Sequence, residues 1–535
     1  MAKSLKRISL IVTLGTLLSK AGGLARQLVI AAAFGVGAAY EAFNYAYIIP
    51  GFLLVILGGI NGPFHSAMVS VLSKRPKNES PKILTRLNTL ISTLLGFFTL
   101  IILVFADPLI HLVGPGLSTD LHEIAVIQLR IMSPITFLAG LIGLGFGTLN
   151  ATNQFWIPAI SPLMSSLAII VGVTFLWIRL GSEIASNQFA LQGGIVLACA
   201  ALTGALLQWV IQLPGLISQG FNAMRVSWDW KYPGVMDVWK VMGPATLSSG
   251  MLQINVFTDL FFASGIIGAA AGLSYATFII QTPLGLISNA LLVPLLPTFS
   301  KLAGTKKIFE LKERVSQSLM LSTTSMISLG AVFIALSGPI VALVYQRGAF
   351  DKDATTLVAS LLIAYGIGMP VYLARDLLVR VFYSLEDAKT PLFFSAIGIG
   401  LNIFLDWIFV GGPTPWGNQF PFNFGAIGLV LATAGVNLFT CTALIVKLQI
   451  RLNGLPLKTW CKNTLKLFLS GLLSGFFAWS LKSFVAWPET TIGLLLQVII
   501  STATSIVCFG LIGSSLKIQA VEQIRIEIRN RLTHH

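Results

Sequence analysis

The stretch LSKAGGLARQLVIAAAFGVGAAYEAFNYAYIIP, residues 18–50, decides the fold. It runs for 33 residues with three charged side chains, Lys20, Arg26 and Glu41, among aliphatic, aromatic and small ones. A helical run of about 20 apolar residues is enough to cross a hydrocarbon core of about 30 Å. This stretch therefore predicts most of one membrane-spanning helix and the start of a second.

Working outward, such runs recur from end to end. They predict fourteen spans, at 8–34, 42–72, 83–106, 124–150, 157–180, 191–220, 235–265, 270–300, 316–338, 354–386, 390–411, 424–450, 459–482 and 491–514. The fold class is an all-α polytopic membrane protein, with no stretch left for a sizeable soluble domain. Composition agrees: of 535 residues, 55% are hydrophobic and 10% charged, against about 25% charged in average soluble chains. Mean hydropathy is +0.84.

The net charge of +15 does not predict a nucleic-acid partner, because the charges sit in short loops between apolar runs. Anionic membrane lipids are the simpler partner. Cys199, Cys441, Cys461 and Cys508 show no metal-ligand spacing and read as packing residues. The N-terminal MAKSLKR before an apolar run resembles a signal peptide, but Lys20 and Arg26 interrupt the run and more spans follow. It reads as a retained first helix.

Basic residues mark alternate loops: Lys3, Lys6 and Arg7; Lys74, Arg75, Lys77 and Lys82; Arg225 and Lys231; Lys301, Lys306, Lys307, Lys312 and Arg314; Arg451 and Lys458; Lys517, Arg525, Arg529 and Arg531. The opposite loops hold few. By the positive-inside rule both termini are cytoplasmic, and the tail 515–535 reads as a basic amphipathic segment on the inner leaflet.

The chain nearly repeats after about 230 residues: GAAYEAFNYAYIIP (37–50) resembles GAAAGLSYATFIIQTP (268–283), and GTLNATNQFWIP (147–158) aligns with RVFYSLEDAKTP (380–391). The organisation this predicts is an N-terminal lobe at 1–230, a C-terminal lobe at 231–455 related by a pseudo-two-fold axis, two extra helices at 456–514 and the tail 515–535. Parallel repeats of this kind are transporter architecture, with a cavity between lobes and alternating access.

Ionisable groups inside spans normally face a cavity or a partner. Lys20 and Arg26 flank Gly22-Gly23, which permit a bend or irregular turn. Together they suit a phosphate-bearing anion; the alternative is snorkelling, or pairing with Glu41. Asp259 lies in the seventh span, and Asn402 and Asp406 lie i,i+4 in the eleventh. Their oxygens suit Na⁺ or a proton; the alternative is a structural hydrogen-bond network. Arg375, Asp376 and Arg380 in the tenth span, Arg130 in the fourth, and Arg347 and Asp351 in an external turn read as ion pairs that cap helices or hold a loop. The glycines at 143, 145 and 147 lie inside an apolar helix and form no phosphate loop. With neither a nucleophile-base pair nor a Walker motif, the chain is not expected to be an enzyme.

The runs LSKAGGLARQLVIAAAFGVGAAYEAF (18–43), LRIMSPI (129–135), LNATNQFWIPAISP (149–162), LLPTFSK (295–301), YQRGAFD (345–351) and RVFYSLEDAKTP (380–391) resemble the MurJ/MviN lipid II flippases of the MOP exporter superfamily. The resemblance covers about residues 5–515. It implies a flippase that moves lipid II, or a related polyprenyl-diphosphate-linked glycan, to the outer leaflet of a bacterial inner membrane. Transport would be driven by an ion or the membrane potential, and the protein would act as a monomer. The last two helices would form the groove for the lipid tail. The resemblance also implies substrate contacts at Lys20, Arg26 and Glu41, and a Na⁺ site at Asp259, Asn402, Asp406, Leu429 (through its carbonyl) and Thr433. The chain departs from the family's pattern at Leu54 and Val55, where an arginine is usual. It departs again at Thr277, Phe278 and Gln281, where an Asp-Arg pair and a glutamate are usual. The thinner arginine set leaves open export of another polyprenyl-linked oligosaccharide or glycolipid.

Overall fold

The structure is a computed structural model that describes residues 2–58, 63–72, 79–220, 226–292, 295–304, 307–411, 422–488, 490–523 and 525–526. Lys74, Arg75, Lys77, Arg225, Lys306, Arg529 and Arg531, which contribute to the topology reading, lie outside them. The described residues form twenty α-helices, two 3-10 turns (Gly181–Ala185 and Asn187–Phe189) and no strand.

In chain order the helices are α1 (Ala2–Phe34), α2 (Ala38–Gly58), α3 (Pro63–Leu72), α4 (Ser80–Val104), α5 (Ala106–Val113), α6 (Thr119–Met132), α7 (Pro134–Ala151), α8 (Trp156–Ile160), α9 (Pro162–Leu180), α10 (Ala190–Val210), α11 (Leu213–Ser218) and α12 (Pro233–Ala263). Then follow α13 (Ala269–Leu292), α14 (Leu295–Gly304), α15 (Ile308–Tyr345), α16 (Lys352–Ser384), α17 (Lys389–Val410), α18 (Ala426–Arg451), α19 (Leu457–Phe484) and α20 (Thr491–Ser515).

Several expected spans are broken helices, and proline marks the breaks. The fourth divides at Ser133-Pro134, the fifth at Ser161-Pro162, and the sixth restarts with Pro214 in the first turn of α11. Proline removes an N–H and clashes with the preceding turn, but its fixed φ suits the first helical position. In α15 the kink falls at Leu336 (φ −115°, ψ 17°), just before Pro339.

Among the described residues, thirteen helical segments are long and apolar enough to cross a membrane. The remaining expected span, 235–265, is realised as α12; at 31 residues it is long enough, but it carries Gln253, Asn255, Thr258 and Asp259 close together and is not among the thirteen.

The chain divides into two compact units. The first is 1–271 with 347–351, and the second is 272–346 with 352–535. Helix α12 belongs to the first unit, where Val235, Val238 and Met242 share a core with Phe64, Met68, Leu87 and Ile91 of α3 and α4. Likewise α19 and α20 belong to the second unit. Leu467 and Phe509 pack with Ile327 of α15, and Ile518 and Val521 of the tail join them. The start of the expected surface tail is thus partly core, whereas 527–535 lie outside the described residues.

The internal repeat has a structural counterpart in each unit taken alone. α2 and α13 both start one residue after a glycine of the repeated motif, contain one proline (Pro50, Pro283), and are followed by a ten-residue continuation, α3 or α14.

Candidate functional site

Helix α1 runs unbroken through Gly22-Gly23, so the expected irregular turn is absent. Gly22 packs closely on α9: a Cβ there would meet the tip of the Leu163 side chain, which would have to shift. Lys20 is exposed and Arg26 half-buried. The Nε of Arg26 is enclosed and has no hydrogen-bond partner among the described residues. A guanidinium is a fork that suits carboxylate and phosphate oxygens, and this one keeps donor capacity inside a span. The next residue, Gln27, donates from Nε2 to Tyr40 Oη at 2.9 Å, a buried bond that fixes α1 against α2. The sequence reading did not single out that bond, since neither residue is charged.

Glu41 sits in the first turn of α2 and is 3% exposed. Its two oxygens accept the amides of Ala270 (3.1 Å) and Ala271 (2.7 Å). These amides open α13 and lack intrahelical acceptors, and the positive end of the helix dipole favours the carboxylate. Lys20 and Arg26 therefore lie on one helix, while Glu41 is engaged by backbone donors. The turn at 347–351 joins the same unit: the Ala349 amide donates to Ala32 O at 2.8 Å. Gly348 there has φ +59°, and a Cβ on it would meet that same carbonyl.

Among the residues of the expected cation site, Asn402 and Asp406 are 0% exposed on α17, and Asn402 Nδ2 donates to Asp406 Oδ2 at 2.8 Å. Leu429 and Thr433 lie on α18, which packs against α17; Leu429 is buried and Thr433 half-buried. Asp259 lies on α12 in the first unit, half-buried, whereas the other four are in the second. The described residues contain no group of three or more His, Cys, Asp and Glu suited to a metal. The donor set here is instead carboxylate, amide, hydroxyl and carbonyl, the hard oxygens that suit an alkali cation.

Other charges in and beside the spans cap helices or pair, as expected of Arg375, Asp376 and Arg380. Arg380 Nη1 donates to Leu292 O at 3.0 Å, capping the C-terminus of α13. Arg375 Nη1 meets Asp376 Oδ1 at 3.2 Å. At the α16–α17 loop Arg451 pairs with Asp387, which also accepts from the Thr390 amide at 3.0 Å. Lys466 Nζ donates to Leu516 O at 2.8 Å, capping α20.

A bundle of this many membrane helices, with a half-buried arginine and a buried carboxylate-amide pair in its spans, defines a polytopic membrane transporter. The family described as "Lipid II flippase MurJ" matches residues 30–500, and the chain belongs to it. It is 47% identical over 466 residues to "Probable lipid II flippase MurJ" of Synechocystis sp., covering 87% of this chain and 85% of that one. It is 27% identical over 504 residues to the protein of the same description from Vibrio cholerae, covering 91% of each. The fold matches a solved structure described as "Lipid II flippase MurJ, inward closed conformation" with a TM-score of 0.74, 25% identity and coverage of 95% and 99%. A MATE family transporter of the MOP superfamily, 14% identical with a TM-score of 0.65, shares the fold; the match covers 81% of this chain and 94% of that one.

Proposed function

We propose that the protein flips lipid II, the lipid-linked peptidoglycan precursor, from the cytoplasmic to the outer leaflet of a bacterial inner membrane. The observation that carries this reading is Arg26, a half-buried guanidinium in a membrane helix whose Nε has no described protein partner, in a chain of the lipid II flippase family. Arg26, with Lys20 on the same helix, receives the diphosphate. Glu41 contributes by holding the start of α13, and the lipid tail stays in the bilayer beside α19 and α20. The two lobes alternate access, with both termini cytoplasmic, anionic lipids around the basic loops, and a single copy of the chain as the working unit.

Na⁺ is the coupling ion in this reading. Asp406, Asn402, the Leu429 carbonyl and Thr433 would hold it. The membrane potential adds about 2.3 kcal/mol per charge per 100 mV.

A second reading, export of another polyprenyl-linked glycan, is favoured by one observation. Thr277, at a position where the family carries charge, instead shares a hydrogen bond with Tyr365 Oη at 3.0 Å. The test is depletion in the native host with a leaflet-resolved assay of lipid II. Lipid II should accumulate on the inner leaflet, and wild type should rescue while Arg26→Ala should not. Unchanged lipid II translocation would move the search to other lipid-linked sugars.

A further inference from the structure

Helix α16 carries a polar face that the site described above does not use. Tyr365, Tyr372, Asp376 and Tyr383 recur at intervals of seven, four and seven residues, and so lie on one side of the helix. Ile363 and Ile367, both exposed, mark a different side. Two bonds tie α16 to α13: Tyr365 Oη to Thr277 Oγ1, and Arg380 Nη1 to Leu292 O. Helix α13 itself has no charged residue. Asp376 lies eight residues before the end of α16, about 12 Å along the axis, yet its side chain is 51% exposed. An ionisable group inside a span normally faces a cavity or a partner rather than lipid tails.

Beside it, Arg375 is 23% exposed. Its described bonds are one from Nη1 to Asp376 and one from Nη2 to Ser395 Oγ at 3.5 Å, and its Nε is enclosed without a partner among the described residues. Those bonds use two of a guanidinium's five donors. The bond to Asp376 joins sequence neighbours, which do not face each other across a helix turn, so a better-placed oxyanion can replace it. With Arg380, the cluster carries a net charge of +1 (two arginines, one aspartate).

We infer that Arg375 and Arg380 form a second oxyanion subsite, on α16, that binds the diphosphate of the lipid-linked substrate, with Asp376 as the built-in counter-ion that the diphosphate displaces. The inference rests on the proposed substrate class. It predicts opposite effects from the two halves of one ion pair. Removing Arg375 weakens binding, whereas removing the competing carboxylate tightens it.

The experiment is equilibrium binding of radiolabelled geranylgeranyl diphosphate to the purified full-length protein in detergent, with inorganic pyrophosphate and geranylgeraniol as competitors. Expected are a loss of about tenfold or more in Arg375→Gln, a smaller loss in Arg375→Lys, which keeps charge but not the fork, and several-fold tighter binding in Asp376→Asn. Geranylgeraniol should compete poorly. Affinities of Arg375→Gln and Asp376→Asn that equal wild type, or move in the same direction, would mark a structural ion pair and overturn the subsite. Pyrophosphate competing as well as the prenylated ligand would assign the cluster to free phosphate and overturn it as a lipid site. Loss of binding in Arg26→Ala alone would overturn the subsite and leave the proposed function standing. No binding by wild type would remove both. If Arg375→Gln fails to fold, Asp376→Asn still decides.

Discussion

Glu41 Oε2 accepts the backbone amide of Ala271 at 2.7 Å across 230 residues of sequence. With the Ala270 bond, one buried carboxylate closes the open end of α13, a helix whose first three residues belong to the first compact unit and whose remainder belongs to the second. Replacing Glu41 by Ala should leave two buried amides without acceptors, each costing about 1–3 kcal/mol. Thermal unfolding in detergent should show a clear loss for Glu41→Ala and a smaller one for Glu41→Gln, which retains one acceptor. An unchanged midpoint for Glu41→Ala would mean that the cap does not stabilise the fold.

The turn at Gly348 should tolerate no side chain. At φ +59° a Cβ is strained, and it would also meet Ala32 O. Gly348→Ala is expected to cost about 1 kcal/mol from the backbone alone, and more from the collision. Limited proteolysis should then cut near 346–352 faster than in wild type, and equal cleavage rates would count against the packing described.

Burial of Asp387 tends to raise its pKa, but bonds from Thr390 and the Arg451 guanidinium outweigh it and hold the carboxyl below its ordinary value. A depressed acid stabilises the fold above its unfolded pKa of about 3.9, and loses that contribution as pH falls through the folded value. Wild type should therefore exceed Asp387→Asn in stability by a constant margin between pH 5 and 8, and the margin should close on acidification below about pH 4. Because Arg451 is 41% exposed, the ion pair itself should contribute no more than about 1 kcal/mol. A margin that widened in acid would reverse the sign of the argument.

Asp406 and Asn402 should confer a Na⁺-specific stability. A ligand that binds only the folded state stabilises it by RT ln(1 + [L]/Kd), so the unfolding midpoint should rise with Na⁺ at constant ionic strength set by K⁺. Asp406→Asn should abolish the rise. Identical Na⁺ and K⁺ curves for wild type would remove the cation from the proposed cycle.

The reach of the sequence follows from what is local. Hydropathy over about 20 residues reports burial in lipid whatever the tertiary arrangement. The helices and the family were therefore legible from residues such as those at 18–50 and 345–351. Asn402 and Asp406 were legible as a pair because four residues is one helical turn, and the structure shows them bonded. Gly22 misled because glycine permits irregularity and close packing alike, and only the presence of Leu163 on α9 shows it packed. The partners of α12 in α3 and α4 are likewise tertiary, since an apolar face does not name the helix that covers it.

The sequence by itself thus determined that this is an all-helical membrane chain of the MurJ family, with its charges sparse enough to be counted. Only the tertiary structure decided what those charges touch. Glu41 meets the amides of α13, Arg380 a carbonyl of the same helix, and Lys466 the end of α20. These partners lie 229, 88 and 50 residues away in the chain. They are mostly backbone groups, present at every position and exposed only at helix ends. No side-chain pattern marks them, so packing alone sets which end arrives at which side chain.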